Sequence, residues 1–166
     1  MTYLLTFACY GSHFPGEEGS VDCRHNVPGS RLADRNPALL RTARLAMQQA
    51  PFEMHAATRA IVLHAVREVC NHKGWRLLAA HVRTNHVHAV IDGEVIPEAA
   101  LNIFKSYASR ALNADPAGAR GRLRWARHGS TRYLWTRDQI EAAVHYVLAK
   151  QGEPMAVRQA PVRSAP

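Results

Sequence analysis

The alternation of hydrophobic and polar positions predicts four β-strands. "TYLLTFACY" at the start has the aromatic and β-branched content of a strand. "WRLLAAHVR" and "HVHAVID" are two more, and because only the dipeptide "TN" separates them, an antiparallel hairpin is expected. "TRYLW", further along the chain, is a short fourth strand.

Apolar residues that recur with the helical period predict helices between these strands. Pro37 stands at the first turn of "PALLRTARLAMQQ", and Pro97 opens "PEAALNIFKSYASRALN". A longer helix is expected over residues 58–72, where one apolar stripe is followed by a stop at Gly74.

The last helix has the clearest boundaries. Thr136 and Gln139 form the pattern of a capping box, so the helix is expected to begin there and to end near Gly152. Helices placed against an antiparallel sheet give an α+β fold. The order of the elements favours a ferredoxin-like sheet with the helices on one face.

Length and composition predict a single domain. At 166 residues, 47% of them hydrophobic, the chain is long enough for one substantial core and has no uninterrupted apolar stretch that could span a membrane. The domain is expected over residues 1–152. It contains an irregular insertion, rich in Gly, Pro, Asp and Asn, at 11–36, and a flexible tail is expected at 153–166.

Cysteine usage and the start of the chain favour a cytoplasmic location. Cys9, Cys23 and Cys70 are odd in number and widely scattered, which gives neither a disulfide framework nor a CxxC metal pattern. The first residues lack the basic and apolar regions of a secretory signal. A reducing cytoplasm is therefore the expected location.

A formal net charge of +8 favours nucleic acid as a partner, because contacts to phosphate are electrostatic and release counterions. Arginine supplies most of the 21 basic residues and suits bidentate contacts to phosphate, although a merely basic surface is the alternative. The candidate DNA contacts are Lys105, Arg110, Arg120, Arg122, Arg124 and Arg127. For these residues, a solvated helix face and a loop that is basic for solubility are the competing interpretations.

His86 and His88 lie one residue apart on a predicted strand, so their side chains project from the same face. Burying them unpaired would cost on the order of 1–3 kcal/mol each, which favours a ligand or a hydrogen-bond partner. Two neutral imidazoles can hold a divalent ion, but in a chain with 10 histidines such a pair also arises by chance. A histidine-triad nucleotide hydrolase is excluded, because its motif needs a histidine where Val90 stands.

Tyr146 lies off the apolar stripe of the last helix, about 120° from its centre. An ordinary boundary residue is the simpler interpretation, since a tyrosine nucleophile needs a base or a nearby cation. Lys150 lies one turn further on and about 40° round the helix, where it could supply that cation. Tyr107 and Tyr133 are expected to be structural, with base stacking as the alternative for Tyr133.

"NHVHAVI", "FKSYASRALN", "RYLW" and "VHYVLAKQ", in this order, resemble the HUH single-tyrosine transposases of the IS200/IS605 type and their relatives associated with repetitive extragenic palindromes. The resemblance runs from the first strand through the last helix. It implies that His86 and His88 hold Mg²⁺ or Mn²⁺ and that Tyr146 attacks a phosphate of single-stranded DNA, which leaves a 5′-phosphotyrosine and a free 3′-hydroxyl. Members of these families recognise DNA hairpins, and the resemblance is compatible with either a homodimer or a monomer.

One position departs from the family pattern. In the transposases a glutamine or asparagine one turn after the tyrosine completes the metal site, whereas here Lys150 stands there and Gln151 follows. On a straight helix Gln151 points about 140° away from Tyr146, so it is a candidate third ligand only if the helix loosens before Gly152. Lys150 instead resembles the lysine that positions the phosphate in HUH replication initiators, and the third ligand stays open. The alternative function is a non-catalytic nucleic-acid-binding protein derived from a transposase.

Overall fold

The structure is a computed structural model that describes residues 1–18 and 34–160. Over these ranges the elements are β1 (Thr2–Cys9), α1 (Pro37–Leu45), α2 (Ala56–Lys73), β2 (Arg76–Val82), β3 (His86–Asp92), α3 (Pro97–Ala114), β4 (Trp125–Leu134), α4 (Arg137–Ala149) and β5 (Ala156–Gln159). The strands form one antiparallel sheet in the order β4-β1-β3-β2-β5. The predicted α+β fold with an antiparallel sheet is confirmed.

The two faces of the sheet carry different helices. α2 and α3 cover the face on which Leu5, Phe7 and Ile91 are buried, and this layer is the main core. α4 covers the opposite face, where Val90 and Val147 pack in a smaller apolar cluster. The predicted placement on one face therefore holds for α2 and α3 only. α4 departs from it because its apolar stripe packs against the side of β3 that carries the histidines.

β4 is longer than the sequence predicts, because it begins at Trp125 within the expected basic loop. Its register with β1 shifts between Phe7, which lies opposite Gly129, and Cys9, which lies opposite Trp125. Residues 126–128 therefore form a bulge in β4. Gly129 allows the two strands to meet beside this bulge, since a Cβ atom there would approach the Thr6 carbonyl oxygen to 2.6 Å.

The ends of the chain correct two boundaries. The predicted flexible tail at 153–166 is wrong over Ala156–Gln159, which forms β5 and pairs with the edge of β2; residues 161–166 lie outside the described residues. Most of the predicted insertion at 11–36 also lies outside them, and its described ends contain no helix or strand. Within residues 1–18 and 34–160, no helix is both long and apolar enough to cross a membrane.

His81, on β2, links α4 and the segment before β5 to the sheet. Its ring is fully buried, its Nδ1 donates a hydrogen bond to the Val147 carbonyl at 3.0 Å, and its Nε2 accepts one from the Met155 amide at 3.2 Å. Burial lowers the pKa of His81, so the ring stays neutral, as these two bonds require. The end of α4 is therefore tied to the sheet.

We expect the His81→Leu substitution to lower the free energy of unfolding by about 2–4 kcal/mol, because the Val147 carbonyl and the Met155 amide would lose their partner inside the protein. The matched control is His64→Leu on the exposed side of α2, which should change it by less than about 0.5 kcal/mol. Urea denaturation followed by circular dichroism measures both. Equal stability of the two variants would contradict this role of His81.

Candidate active site

His86 and His88 stand together on β3, on the face that α4 covers. Their ring centroids are 4.7 Å apart and the ring planes make an angle of 74°. The register of the sheet places Thr6 of β1 and His81 of β2 on either side of His88, and Ala8 beside His86. Strand alternation therefore brings both imidazoles to one face.

The Nδ1 atom of each imidazole already has a partner inside the protein. In His86, Nδ1 donates to the Asn85 side-chain oxygen at 2.7 Å, and in His88, Nδ1 lies 2.7 Å from the Thr6 hydroxyl oxygen. These contacts fix the orientation of both rings. When Nδ1 carries the proton, Nε2 keeps its lone pair, which is the arrangement that supporting groups give to metal-binding histidines.

The pKa values of both histidines favour the neutral form. Burial lowers the pKa of His86, and burial followed by the neighbouring His86 lowers the pKa of His88 to about 4. Near neutral pH both rings are therefore uncharged, and their lone pairs are available to a cation.

Gln151 faces the same histidines. It lines their cavity, and its side chain interacts with both imidazoles, which partly offsets the fall in their pKa. α4 ends at Ala149, and Gly152 adopts a left-handed conformation with a φ of 73°. The chain therefore leaves the helix before Gln151, which meets the condition under which that side chain can reach the histidines.

Lys150 is placed differently. It is the C-cap of α4, its side chain is exposed, and its backbone amide donates to the Tyr146 carbonyl at 3.1 Å. It does not line the histidine cavity. Of the two neighbouring candidates, Gln151 is thus the one that faces the imidazoles.

Tyr146 lies over the histidine pair. Its ring centroid is 5.6 Å from that of His88, and the residue is 43% exposed. Val147, the next residue, is fully buried against the sheet and fixes the rotation of α4. The phenol is therefore open to solvent on one side and in contact with a buried imidazole on the other.

The histidines, Tyr146 and Gln151 line a cavity of about 420 Å³ between α4 and the bulged end of β4. It is also lined by residues to which the sequence assigned no role: Thr6, His13, His128 and Ser130. Thr6 and Ser130 are cross-strand neighbours in the row that contains His88, so only the strand register could have identified them. The bulge that brings His128 to the cavity has no sequence signal that we can identify.

The donor set suits a divalent cation. Within residues 1–18 and 34–160, no group of three His, Cys, Asp or Glu side chains is placed to hold a metal ion. The side chains that line the cavity and can donate to a metal ion include the imidazoles of His86 and His88 and the side-chain oxygen of Gln151. Nitrogen and oxygen donors of this kind, with room left in the cavity for further ligands, are compatible with Mg²⁺ or Mn²⁺.

The five arginines among the six candidate DNA contacts fall into two groups. Arg110, Arg120 and Arg127 are exposed. Arg122 donates to the Ala50 and Pro51 carbonyls and Arg124 to the Ala119 carbonyl, so both brace the loop before β4.

Lys105 does not lie at the surface, where its predicted contact with DNA would require it to be. It is only 8% exposed, and its Nζ donates to the carbonyls of Ala126, Arg127 and His128 at 2.8, 3.4 and 3.0 Å. The bulge leaves these carbonyls without strand partners, and the ammonium supplies its three N–H groups to them. Burial lowers the pKa of Lys105. Lys105 therefore supports the wall of the cavity and is not available to bind DNA.

Comparison with protein families identifies the class. Residues 51–147 match the family model described as "Transposase IS200 like". This chain belongs to that family. The matched segment includes both histidines and Tyr146 and ends before Lys150 and Gln151.

Among solved structures, the chain is similar to one described as "Structure of the REP associates tyrosine transposase bound to a REP hairpin". The identity is 11% and the TM-score is 0.49, over 90% of this chain and 65% of that chain. A comparison with curated proteins found no match.

We expect Lys105→Met to lower the free energy of unfolding by about 2–4 kcal/mol, because three carbonyls at the bulge would lose their donor. Lys73→Met, which removes an exposed ammonium at the end of α2, should lower the free energy of unfolding by less than about 1 kcal/mol. Urea denaturation gives both values, and amide hydrogen exchange at residues 126–130 should accelerate only in the first variant. Unchanged stability and unchanged hydrogen exchange in Lys105→Met would argue against the role of Lys105 in supporting the bulge.

Proposed function

We propose that this protein cleaves and rejoins single-stranded DNA, with Tyr146 as the nucleophile. The observation that carries the proposal is the exposed phenol 5.6 Å, between ring centroids, from His88, beside a cavity into which two neutral imidazoles open. A boundary tyrosine with only a packing role does not require such a pair beneath it. Membership of the IS200-like transposase family supports the same chemistry.

His86 and His88 would hold Mg²⁺ or Mn²⁺ through their Nε2 atoms, and the Gln151 side-chain oxygen would be the third protein ligand. The lowered pKa of both histidines supports this assignment, because only a neutral imidazole binds a metal ion. When bound, the cation supplies Lewis-acid stabilisation of charge on the scissile phosphate. Lys150, next to Gln151, would position the same phosphate through its positive charge.

In the cleavage step, the phenolic oxygen of Tyr146 attacks phosphorus, and the bond from phosphorus to the 3′-oxygen breaks. The phenol loses its proton, and the departing 3′-oxygen takes up a proton to become a hydroxyl. The 5′ end of the DNA stays attached to the protein as a phosphotyrosine. Because one phosphate ester replaces another, no external energy is needed, and attack by a 3′-hydroxyl rejoins the strand.

The partner in this proposal is a DNA hairpin with a single-stranded extension. The net charge of +8 supports binding to a phosphate backbone, and the exposed side chains of Arg110, Arg120 and Arg127 would make the contacts. Arg127 directly precedes His128 of the cavity, so a strand held by Arg127 is led toward the tyrosine. The tyrosine and the proposed ligands come from one chain, so the reaction does not require a second copy, although a homodimer is compatible with it.

We expect Tyr146→Phe to abolish the covalent protein–DNA adduct, with a loss of at least about 10³-fold in its rate of formation, because the attacking oxygen is removed. The control is Tyr133→Phe, since Tyr133 has a similar exposure, 42% against 43%, and lies on β4 away from the cavity. The assay follows denaturation-resistant adducts on hairpin oligonucleotides taken from the flanking genomic DNA, with Mn²⁺ or with EDTA.

Two results would reject this assignment. An adduct that persists in Tyr146→Phe would move the nucleophile elsewhere. A wild-type protein that binds these hairpins but forms no adduct with Mn²⁺ would favour the non-catalytic, transposase-derived binding protein.

We expect Gln151→Ala to weaken Mn²⁺ binding by about 10-fold or more, because one of three protein donors is lost. Lys150→Ala is the neighbouring control: it should leave Mn²⁺ affinity unchanged and slow only the formation of the adduct. Calorimetric titration of Mn²⁺ without DNA separates the two effects, and Gln151→Glu, which keeps an oxygen donor, should restore binding. Equal affinity in Gln151→Ala and the wild type would remove Gln151 from the ligand set.

A further inference from the structure

A second cavity, about 530 Å³ in volume, adjoins Tyr146. It shares Thr6, His88 and Tyr146 with the histidine cavity, but it extends along the N-terminal half of α4 and not toward Gln151. The proposed cleavage step makes no use of this space. A group that occupied it would contact the tyrosine while a phosphate lay in the histidine cavity.

The floor of the second cavity is apolar and its walls carry opposite charges. Leu4 of β1 and the small side chains of Ala142 and Ala143 form the apolar floor of the cavity between the sheet and the helix. Arg132 of β4 and Asp138 in the first turn of α4 line the same space. Neither charged side chain makes a hydrogen bond or an ion pair with any other residue in the described part of the chain.

We propose that this cavity binds a nucleobase of the single strand, in one of the two nucleotides that flank the scissile phosphate. The inference rests on the proposed function. A base has flat apolar faces, which suit a floor of leucine and alanine, and an edge that carries both donors and acceptors. Both side chains are exposed; Arg132 supplies donors only and Asp138 acceptors only, so the edge of a base can pair with both. A phosphate group is disfavoured because the Asp138 carboxylate would repel it.

The cavity therefore gives the protein a means of choosing the cleavage position that is independent of hairpin binding. Because the cavity lies directly beside the nucleophile, it can recognise only the base of a nucleotide next to the scissile phosphate. A base seated against Tyr146 also helps to hold the neighbouring phosphate in reach of the phenol.

The experiment varies the two flanking nucleotides one at a time, with each of the four bases and with an abasic site, in an oligonucleotide that the protein cleaves. At one of the two positions we expect the preferred base to be cleaved at least about 10-fold faster than the abasic site. In Arg132→Ala and Asp138→Ala this ratio should fall to within about 2-fold, while the rate on the abasic substrate stays unchanged. Arg137→Ala and Glu141→Gln are the controls, because these residues pair with each other on the same turn of α4 and do not line the cavity.

Equal cleavage of all bases and of the abasic site would overturn the inference. If Arg132→Ala slows cleavage equally on every substrate, the abasic one included, the inference is also overturned. Such a result would indicate that Arg132 attracts phosphate in general.

A second measurement does not depend on cleavage. 2-Aminopurine placed at the flanking position reports by fluorescence whether a base enters a protein environment. A signal that is lost in Arg132→Ala and Asp138→Ala supports the base site even when no adduct forms, and in that case only the proposed catalytic function fails. Normal adduct formation without any such signal rejects the base site and leaves the catalytic proposal standing.

Discussion

The whole site depends on how α4 is held against the sheet, by the apolar cluster around Val147 and by the hydrogen bonds of His81. A polar ring that is buried among apolar side chains needs a hydrogen-bond partner for each nitrogen. For His81 these partners are the Val147 carbonyl and the Met155 amide, so the two bonds fix α4 and the segment before β5 relative to β2. Tyr146 precedes the first of these partners by one residue. The same pair of bonds confines Gln151, which lies between the two partners, to the region of the histidines.

The opposite wall of the histidine cavity depends on a second buried polar group. The bulge in β4 leaves the carbonyls of residues 126–128 outside the regular register with β1, and the Lys105 ammonium donates to all three. This costs desolvation of an ammonium, and the lowered pKa of Lys105 is one sign of that cost. The result is a strand end that presents His128 and Ser130 toward Tyr146. Two buried polar side chains, His81 and Lys105, thus support the two walls of the site.

The sequence predicted those features of the site that depend only on neighbouring residues along the chain. Strand alternation put His86 and His88 on one face, and the capping box at Thr136 gave the start of α4, where its side chain does accept the Gln139 amide. Long-range pairing determines the rest. Lys105 looked like a surface residue because a bulge is not visible in the sequence. β5 was missed because its stability comes from the free edge of β2 and not from its own residues.

The protein is basic as a whole, but the two histidines of its candidate site are uncharged. The chain carries a formal +8, yet His86 and His88 have lowered pKa values and are neutral at physiological pH. On the proposed function, exposed arginines would attract the DNA backbone at the surface, where water screens their charge and the attraction does not depend on base sequence. In the proposed reaction, positive charge at the phosphate would come from a cation held by neutral donors and from Lys150. In that proposal the attraction of DNA is separate from its cleavage, because binding alone would not supply the charge that the reaction needs.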